Sequence, residues 1–240
     1  MLQIILDMIY PVRCPICDEI VIPKGERICS PCKEKLHYIK EPRCKKCSKP
    51  IEQEEKEYCS DCEHKNFQFV KGFSIWSYDS AIKHSIAEFK YHNKKEHAKF
   101  YTQEMVRHYG DMIEKLSPDV IVPIPIHRSK YLERGYNQAD ILARGLGKAL
   151  NLPVLSELLI RNKKTLPQKQ LSDKERLRNL QEAFCFNKKV SENFQKEIKK
   201  VLLVDDIFTT GSTIEACTIL LKTNGITDIY FISLCIGKGF

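Results

Sequence analysis

Eight of the eleven cysteines fall in four Cys-x-x-Cys pairs: Cys14/Cys17, Cys29/Cys32, Cys44/Cys47 and Cys59/Cys62. Each pair begins 15 residues after the one before, so the first 65 residues form an internal repeat. No other feature restricts the fold so strongly. A Cys-x-x-Cys turn places two sulfurs on one side of a tight loop. Two such turns supply the tetrahedral thiolate set of a closed structural zinc site. Eight thiolates therefore imply two zinc ions. Sequential pairing gives two ribbons in tandem and closes the shorter loops. Interleaved pairing, a cross-braced module, satisfies the same ligand count. A disulfide framework suits a secreted chain, and no secretion signal is recognisable. An iron–sulfur cluster would use the same ligands. His37 and His64 lie near the array but are not needed as ligands. Cys185, Cys217 and Cys235 stand singly in apolar segments and read as core residues.

Near Asn66 the spaced cysteines stop and alternating apolar residues begin, which divides the chain into residues 1–65 and 66–240. Charge divides in the same place. The first 65 residues balance, and the remainder carries the whole net charge of +8, in clusters at 83–99, 127–134 and 161–178. Clustered positive charge suits a polyanionic ligand, a phosphate or a nucleic-acid backbone. No apolar run approaches the ~18 residues needed to span a bilayer. Residues 2–10 lack a basic leader and a cleavage site. They are expected to form a short amphipathic helix packed against the adjoining chain, with a membrane-surface anchor as the alternative.

The second part reads as an α/β unit with a mainly parallel sheet. Residues 67–80 suggest strand-turn-strand with Gly72 as the break. Residues 81–109 have helical spacing. Strands are expected at 119–126, 158–161, 184–186, 201–204 and 228–236. Helices are expected at 137–150, with Ala139, Leu142, Ala143, Leu146 and Leu150 facing inward, and at 212–223.

The stretch VLLVDDIFTTGSTIEA, 201–216, concentrates the chemistry. An apolar strand runs into Asp205 and Asp206, then into a turn holding Thr209, Thr210, Gly211, Ser212 and Thr213. Ligands of open α/β sheets bind beyond the carboxyl ends of strands. Ser212 with Glu215 matches a capping box, so a helix is expected to start there. Its unpaired N–H groups and dipole suit a phosphate monoester, and Gly211 permits close approach. Two adjacent carboxylates accept bonds from vicinal hydroxyls and suit Mg²⁺. Phosphate on one side and diol acceptors on the other describe a ribose 5-phosphate. Neither a Walker loop nor a dinucleotide fingerprint occurs in the chain.

These residues resemble the motif that binds 5-phosphoribosyl 1-diphosphate (PRPP) in type I phosphoribosyltransferases. More narrowly, the chain resembles the ComF/ComFC competence proteins, a double zinc ribbon followed by a phosphoribosyltransferase-like domain. The further matches are FKYHNKKE at 89–96, VPIPIHR at 122–128, RGYNQAD at 134–140, and 159–184 with its Thr165, Gln168, Leu171, Arg176 and Asn179 series. The resemblance implies that Asp205 and Asp206 take the ribose hydroxyls and that residues 209–213 cradle the 5-phosphate. It makes His127 and Arg128 diphosphate contacts. It places Arg161, Lys163 and Lys164 in a closing loop, where cations would stabilise a leaving diphosphate together with Mg²⁺. Lys90-Tyr91-His92-Asn93 departs from the family's Lys-Tyr-Arg-Gly. Asn tolerates left-handed angles, but the arginine is lost. Tyr136 replaces a phenylalanine.

The function so implied is PRPP recognition in a protein that handles single-stranded DNA during natural transformation, with Tyr91, His92, Tyr131 and Tyr136 as stacking surfaces. An active phosphoribosyltransferase acting on a nucleobase or amine is the alternative. A sensor whose ribbons contact a protein partner, such as membrane DNA-translocation machinery, is the third. Each fits a cytoplasmic chain at or near the inner face of the membrane. The ribbons have few large apolar residues, so metal must supply much of their folding free energy. Strong chelation is expected to unfold residues 10–65 while the remainder keeps its circular dichroism. An unchanged proteolysis pattern after zinc removal would contradict this.

Overall fold

A computed structural model describes residues 11–23, 25–163 and 173–237. The expected helix at 2–10 lies outside the described residues, as do Lys164, Thr165, Gln168 and Leu171.

The cysteines gather as two sets of four. The Sγ atoms of Cys14, Cys17, Cys29 and Cys32 lie within 4.8 Å of one another, as do those of Cys44, Cys47, Cys59 and Cys62. The pairing is sequential, and the two sets fit two structural zinc ions. The 15-residue sequence period hides a 30-residue structural one. Cys14 N–H donates to Glu19 O and Cys44 N–H to Lys49 O, both at 2.8 Å. These two knuckles turn through Asp18 (φ 60°) and Ser48 (φ 66°). The second pair of each set instead opens a short helix, α1 (Ser30–Glu34) after Cys29 and α2 (Ser60–His64) after Cys59. His37 and His64 are engaged elsewhere, with Asp79 and with Ser60 O.

The rest of the chain runs β1 (Lys71–Ser77), α3 (Ser80–Tyr91), α4 (His97–Leu116), β2 (Val120–Pro123), α5 (Arg128–Arg134), α6 (Gln138–Leu150), β3 (Leu159–Arg161), α7 (Asp173–Gln181), β4 (Phe184–Phe186), α8 (Lys188–Asn193), β5 (Lys200–Phe208), α9 (Ser212–Thr223) and β6 (Asp228–Ile236). Strands β1, β6, β5 and β2 form a parallel sheet in that order, while β3 and β4 pair antiparallel beside it. Covered on both faces, β5 and β6 read as near-continuous apolar runs. Leu202, Val204, Ile232 and Leu234 face a core shared with α3, α4 and α6. Val201, Leu203, Ile229 and Phe231 face the core beneath α9. Among the described residues no helix is long and apolar enough to cross a membrane.

Each ribbon joins one of these cores. Cys14, Val21, Ile28 and Leu36 pack with the first face, and Cys44, Cys47 and Cys59 with the second. The segment between the ribbons crosses the sheet edge. Ile39 N–H donates to Ile75 O at 2.9 Å and Ser77 N–H to His37 O at 3.0 Å, so the zinc unit straddles β1. Tyr38 OH to Glu104 (2.6 Å) and Arg43 to Tyr109 OH (2.7 Å) fasten it to α4. Metal loss would therefore also withdraw support from the sheet, so chelation is expected to lower the stability of the α/β unit too, where the sequence alone suggested that it would stay untouched.

Several sequence expectations change. Residues 67–80 hold a single strand with Gly72 inside it, not a turn. Its missing side chain makes room for the Phe231 ring, since a Cβ there would lie 2.0 Å from Phe231 Cε1. Strand β5 runs on to Phe208, past both aspartates. The helical stretch from 81 is two helices, separated by a turn in which Asn93 takes φ 56°, as the Asn-for-Gly exchange requires. Leu150 is half-buried where an inner position was expected, and so is Cys185, whose Sγ receives Asn162 Nδ2 at 3.2 Å. Gly72→Ala is expected to cost about 1–3 kcal/mol by overpacking. Chemical denaturation of the two proteins under equal zinc loading measures that difference.

Candidate sugar-phosphate site at the strand tips

All four parallel strands end on one side of the molecule, and the candidate residues lie where β5 and β2 emerge. Pro123 pairs with Val204, and Ile124 N–H donates to Val204 O at 2.9 Å. The loop leaving β2 therefore runs beside Asp205. Asn137, the N-cap of α6, donates from Nδ2 to Ile124 O at 2.9 Å and fixes that loop from below.

The two acids have different surroundings. Asp205 Oδ1 accepts the Asp206 N–H at 2.8 Å. Burial first, and the Asp206 charge second, push the Asp205 carboxyl up to about 7. Asp206 Oδ2 meets Lys90 Nζ at 2.7 Å, in a pair whose side chains are only 12% and 17% exposed. Burial alone would lower the Lys90 pKa; the Asp206 charge, helped by Asp205, more than offsets it and holds the ammonium form.

Past Phe208 the chain turns through exposed Thr209 and half-buried Thr210 into Gly211. Gly211 has φ 82°, and a Cβ there would lie 2.7 Å from the Phe67 ring and 3.0 Å from Phe208. Both the backbone angle and the space require glycine. Helix α9 starts at Ser212 with Gly211 as its N-cap and no side-chain cap. The expected capping box is not formed. Glu215 accepts from Gln68 N–H through both carboxylate oxygens, at 3.0 and 2.9 Å. Its carboxylate is recruited by a segment 147 residues away, so no side chain occupies the first-turn N–H groups. Thr210 Oγ1 and Ser212 Oγ lie 3.0 Å apart beside them, and Thr213 follows half-buried.

The remaining predicted residues divide. His127 caps α5, its Nδ1 accepting Ser129 N–H at 3.2 Å, which leaves the proton on Nε2. Arg161 lies over the Phe184 ring at 5.3 Å, near enough to Asp205 to feel its charge, while burial holds its pKa below the ordinary value. Arg128 and Lys163 stand exposed. Three further cations lie at this tip; the sequence offers Lys90 and Arg134 within family motifs and Lys130 as part of a charge cluster, without a role for any of them. Lys90 is one. Lys130 is the second, its pKa lowered by burial and by Arg134, Arg161 and Lys90. Arg134 is the third, with its guanidinium 4.9 Å from the Tyr91 ring centroid. Two carboxylates, a helix start without a side-chain cap and clustered cations thus gather at the strand tips.

A family profile described as a phosphoribosyl transferase domain matches residues 92–239, and a double zinc ribbon domain matches residues 5–63. Competence protein F of Haemophilus influenzae is 31% identical over 216 residues, which is 84% of this chain and 93% of that protein. Competence protein ComFC of Bacillus subtilis is 25% identical over 237 residues, 90% of this chain and 91% of that one. The DNA utilization protein YhgH of Escherichia coli K12 is 35% identical over 118 residues, 49% of each chain. With both domains matched and one relative aligned over nearly its full length, the chain belongs to the ComF/ComFC family, a double zinc ribbon joined to a type I phosphoribosyltransferase-like α/β unit.

Proposed function

We propose that the chain binds PRPP or a closely related sugar phosphate at the tip of β5 and serves DNA uptake by handling single-stranded DNA. One observation carries the first half: a carboxylate pair stands one turn away from a glycine-started helix with an uncapped first turn. Asp205 and Asp206 would accept the ribose hydroxyls. The backbone of 210–213, with the hydroxyls of Thr209, Thr210, Ser212 and Thr213, would hold the 5-phosphate. His127 and Arg128 would contact the diphosphate, and Arg161 and Lys163 would neutralise it. The DNA half is supported by the names of the relatives, two competence proteins and a DNA utilization protein. It is supported also by the exposed Tyr91 and Tyr131 beside Arg134 and Lys130, a stacking surface among cations. Tyr136, expected to join that surface, is absent from it because its ring is buried. The ribbon unit, residues 1–65, would then present a charge-balanced face to protein partners.

Mg²⁺ would screen the charge of the diphosphate. The carboxylates are hard oxygen donors and suit it, but Asp206 already holds Lys90. Among the described residues no third acid or histidine joins the pair. The ion would therefore arrive with the ligand, not wait in a protein-built site.

A second reading, an active phosphoribosyltransferase, is favoured by Asp205. A carboxyl that titrates near neutrality in a cleft can take a proton from an acceptor amine or nucleobase. Sustained diphosphate release with a candidate acceptor would establish turnover.

Calorimetric titration with PRPP in the presence of Mg²⁺ is expected to show one site, weakened at least about tenfold by Asp205→Asn through loss of a charged acceptor. Absence of heat and of thermal stabilisation would remove this reading. Single-strand binding is expected to weaken about tenfold between 50 and 200 mM salt.

Asp205→Asn is also expected to raise stability. The folded-state pKa lies above the unfolded value, so the wild type loses stability as pH rises from about 4 to about 7. The gain from Asn should be small near pH 4 and complete above pH 7, read as the difference in Tm across that range.

A further inference from the structure

The RGYNQ segment, residues 134–138, does not reach the acids itself. It holds the last turn of α3. Tyr136 OH donates to Phe89 O. Gln138 Nε2 donates to Lys90 O at 3.4 Å. Arg134 donates to Gln138 Oε1 at 3.1 Å and to Tyr91 OH at 3.3 Å, with its guanidinium over the Tyr91 ring. Three consecutive residues, Phe89, Lys90 and Tyr91, are thus gripped by one short segment. The side chain between the two aromatics is the one that reaches Asp206 Oδ2 at 2.7 Å. A lysine meant only to neutralise a structural acid does not need two further cations beside it. Lys130 and Arg134 lie close enough to Lys90 for their charges to oppose one another. Arg134 bonds the neutral Gln138 and Tyr91, and Arg161 acts on both Lys130 and Asp205, so among the described residues four cations gather around two acids at the tip. That balance suits a ligand bringing several negative charges and hydroxyls that can replace an ammonium on a carboxylate.

We propose that Lys90 is the resident counter-cation of this site. It neutralises Asp206 in the unliganded chain. It passes to the diphosphate of an incoming phosphoribosyl ligand as the ribose hydroxyls take its place, so that binding needs no added divalent metal. Tyr136 and Gln138 are positioning residues for it. The inference rests on the sugar-phosphate reading above and goes further by assigning the charge compensation to a side chain.

The test is calorimetric titration of PRPP into the zinc-loaded full chain, with and without Mg²⁺, in buffer freed of divalent ions on a chelating resin. Retained ribbon zinc is measured afterwards. Wild type is expected to lose less than threefold in affinity without Mg²⁺. Lys90→Met should lose at least tenfold without Mg²⁺ and recover most of it when Mg²⁺ is added, while Lys90→Arg stays near wild type. Tyr136→Phe should weaken metal-free binding more than Mg²⁺-supported binding, a split that a merely structural role would not produce. Wild-type binding that appears only with Mg²⁺ would overturn the proposal while leaving the sugar-phosphate site standing. So would a folded Lys90→Met chain with wild-type metal-free affinity. No PRPP binding under either condition would sink both. Should Lys90→Met fail to fold, the wild-type comparison and Lys90→Arg decide alone.

Discussion

Two charges at the end of a strand covered on both faces are the constraint around which this fold is arranged. Up to Val204, β5 sends apolar side chains alternately into two cores, as a central parallel strand must. At Asp205 that pattern stops, although the hydrogen-bonded ladder continues through Phe208. A buried carboxylate without compensation is costly, and two in a row repel. The chain answers in two ways. One acid receives a lysine from α3; the other keeps a proton until near neutral pH and folds back on its own backbone. The second solution is poor for stability, because burial and the neighbouring Asp206 charge both oppose ionisation of that carboxyl.

The zinc unit bears on the same tip from the other side of the sheet. Its ribbons pack into separate cores, and its middle segment lies along β1. Strand β1 leads through Asp79, which accepts from Ala81 N–H and Ile82 N–H to start α3 and also bonds His37 of the zinc unit at 2.5 Å. Helix α3 then delivers Lys90. Ribbon, edge strand, helix and counter-cation therefore form one mechanical series.

Local pattern was enough for the cysteine pairs, the α/β alternation and the glycine turn before α9, because each is decided by near neighbours. It failed where a distant residue intervened. Gly72 looked like a break, but it is a strand position emptied for the Phe231 ring. Glu215 looked like the far half of a capping box, but Gln68 N–H takes it. The strand seemed to end at the first aspartate because polarity, not hydrogen bonding, was the signal available. Lys90 and Arg134 could be seen as parts of motifs and Lys130 as charge, but not as neighbours. Their convergence depends on α3 and α5 meeting above β5, and no spacing within either helix encodes that.

Coverage of β1 has an implication for the life of the protein in the cell. Unpaired strand edges invite other chains to add on. At the opposite edge Ile121 bridges to Val154, so residues 152–155 shield β2. Among the described residues the β1 edge is covered by the segment between the two cysteine sets, and thiolates are vulnerable to oxidants. Oxidative loss of zinc would thus leave more than a slack appendage: it would bare a template for intermolecular pairing. In this fold the ribbon unit is therefore also the cover of a sheet edge, and the state of its cysteines bears on that edge.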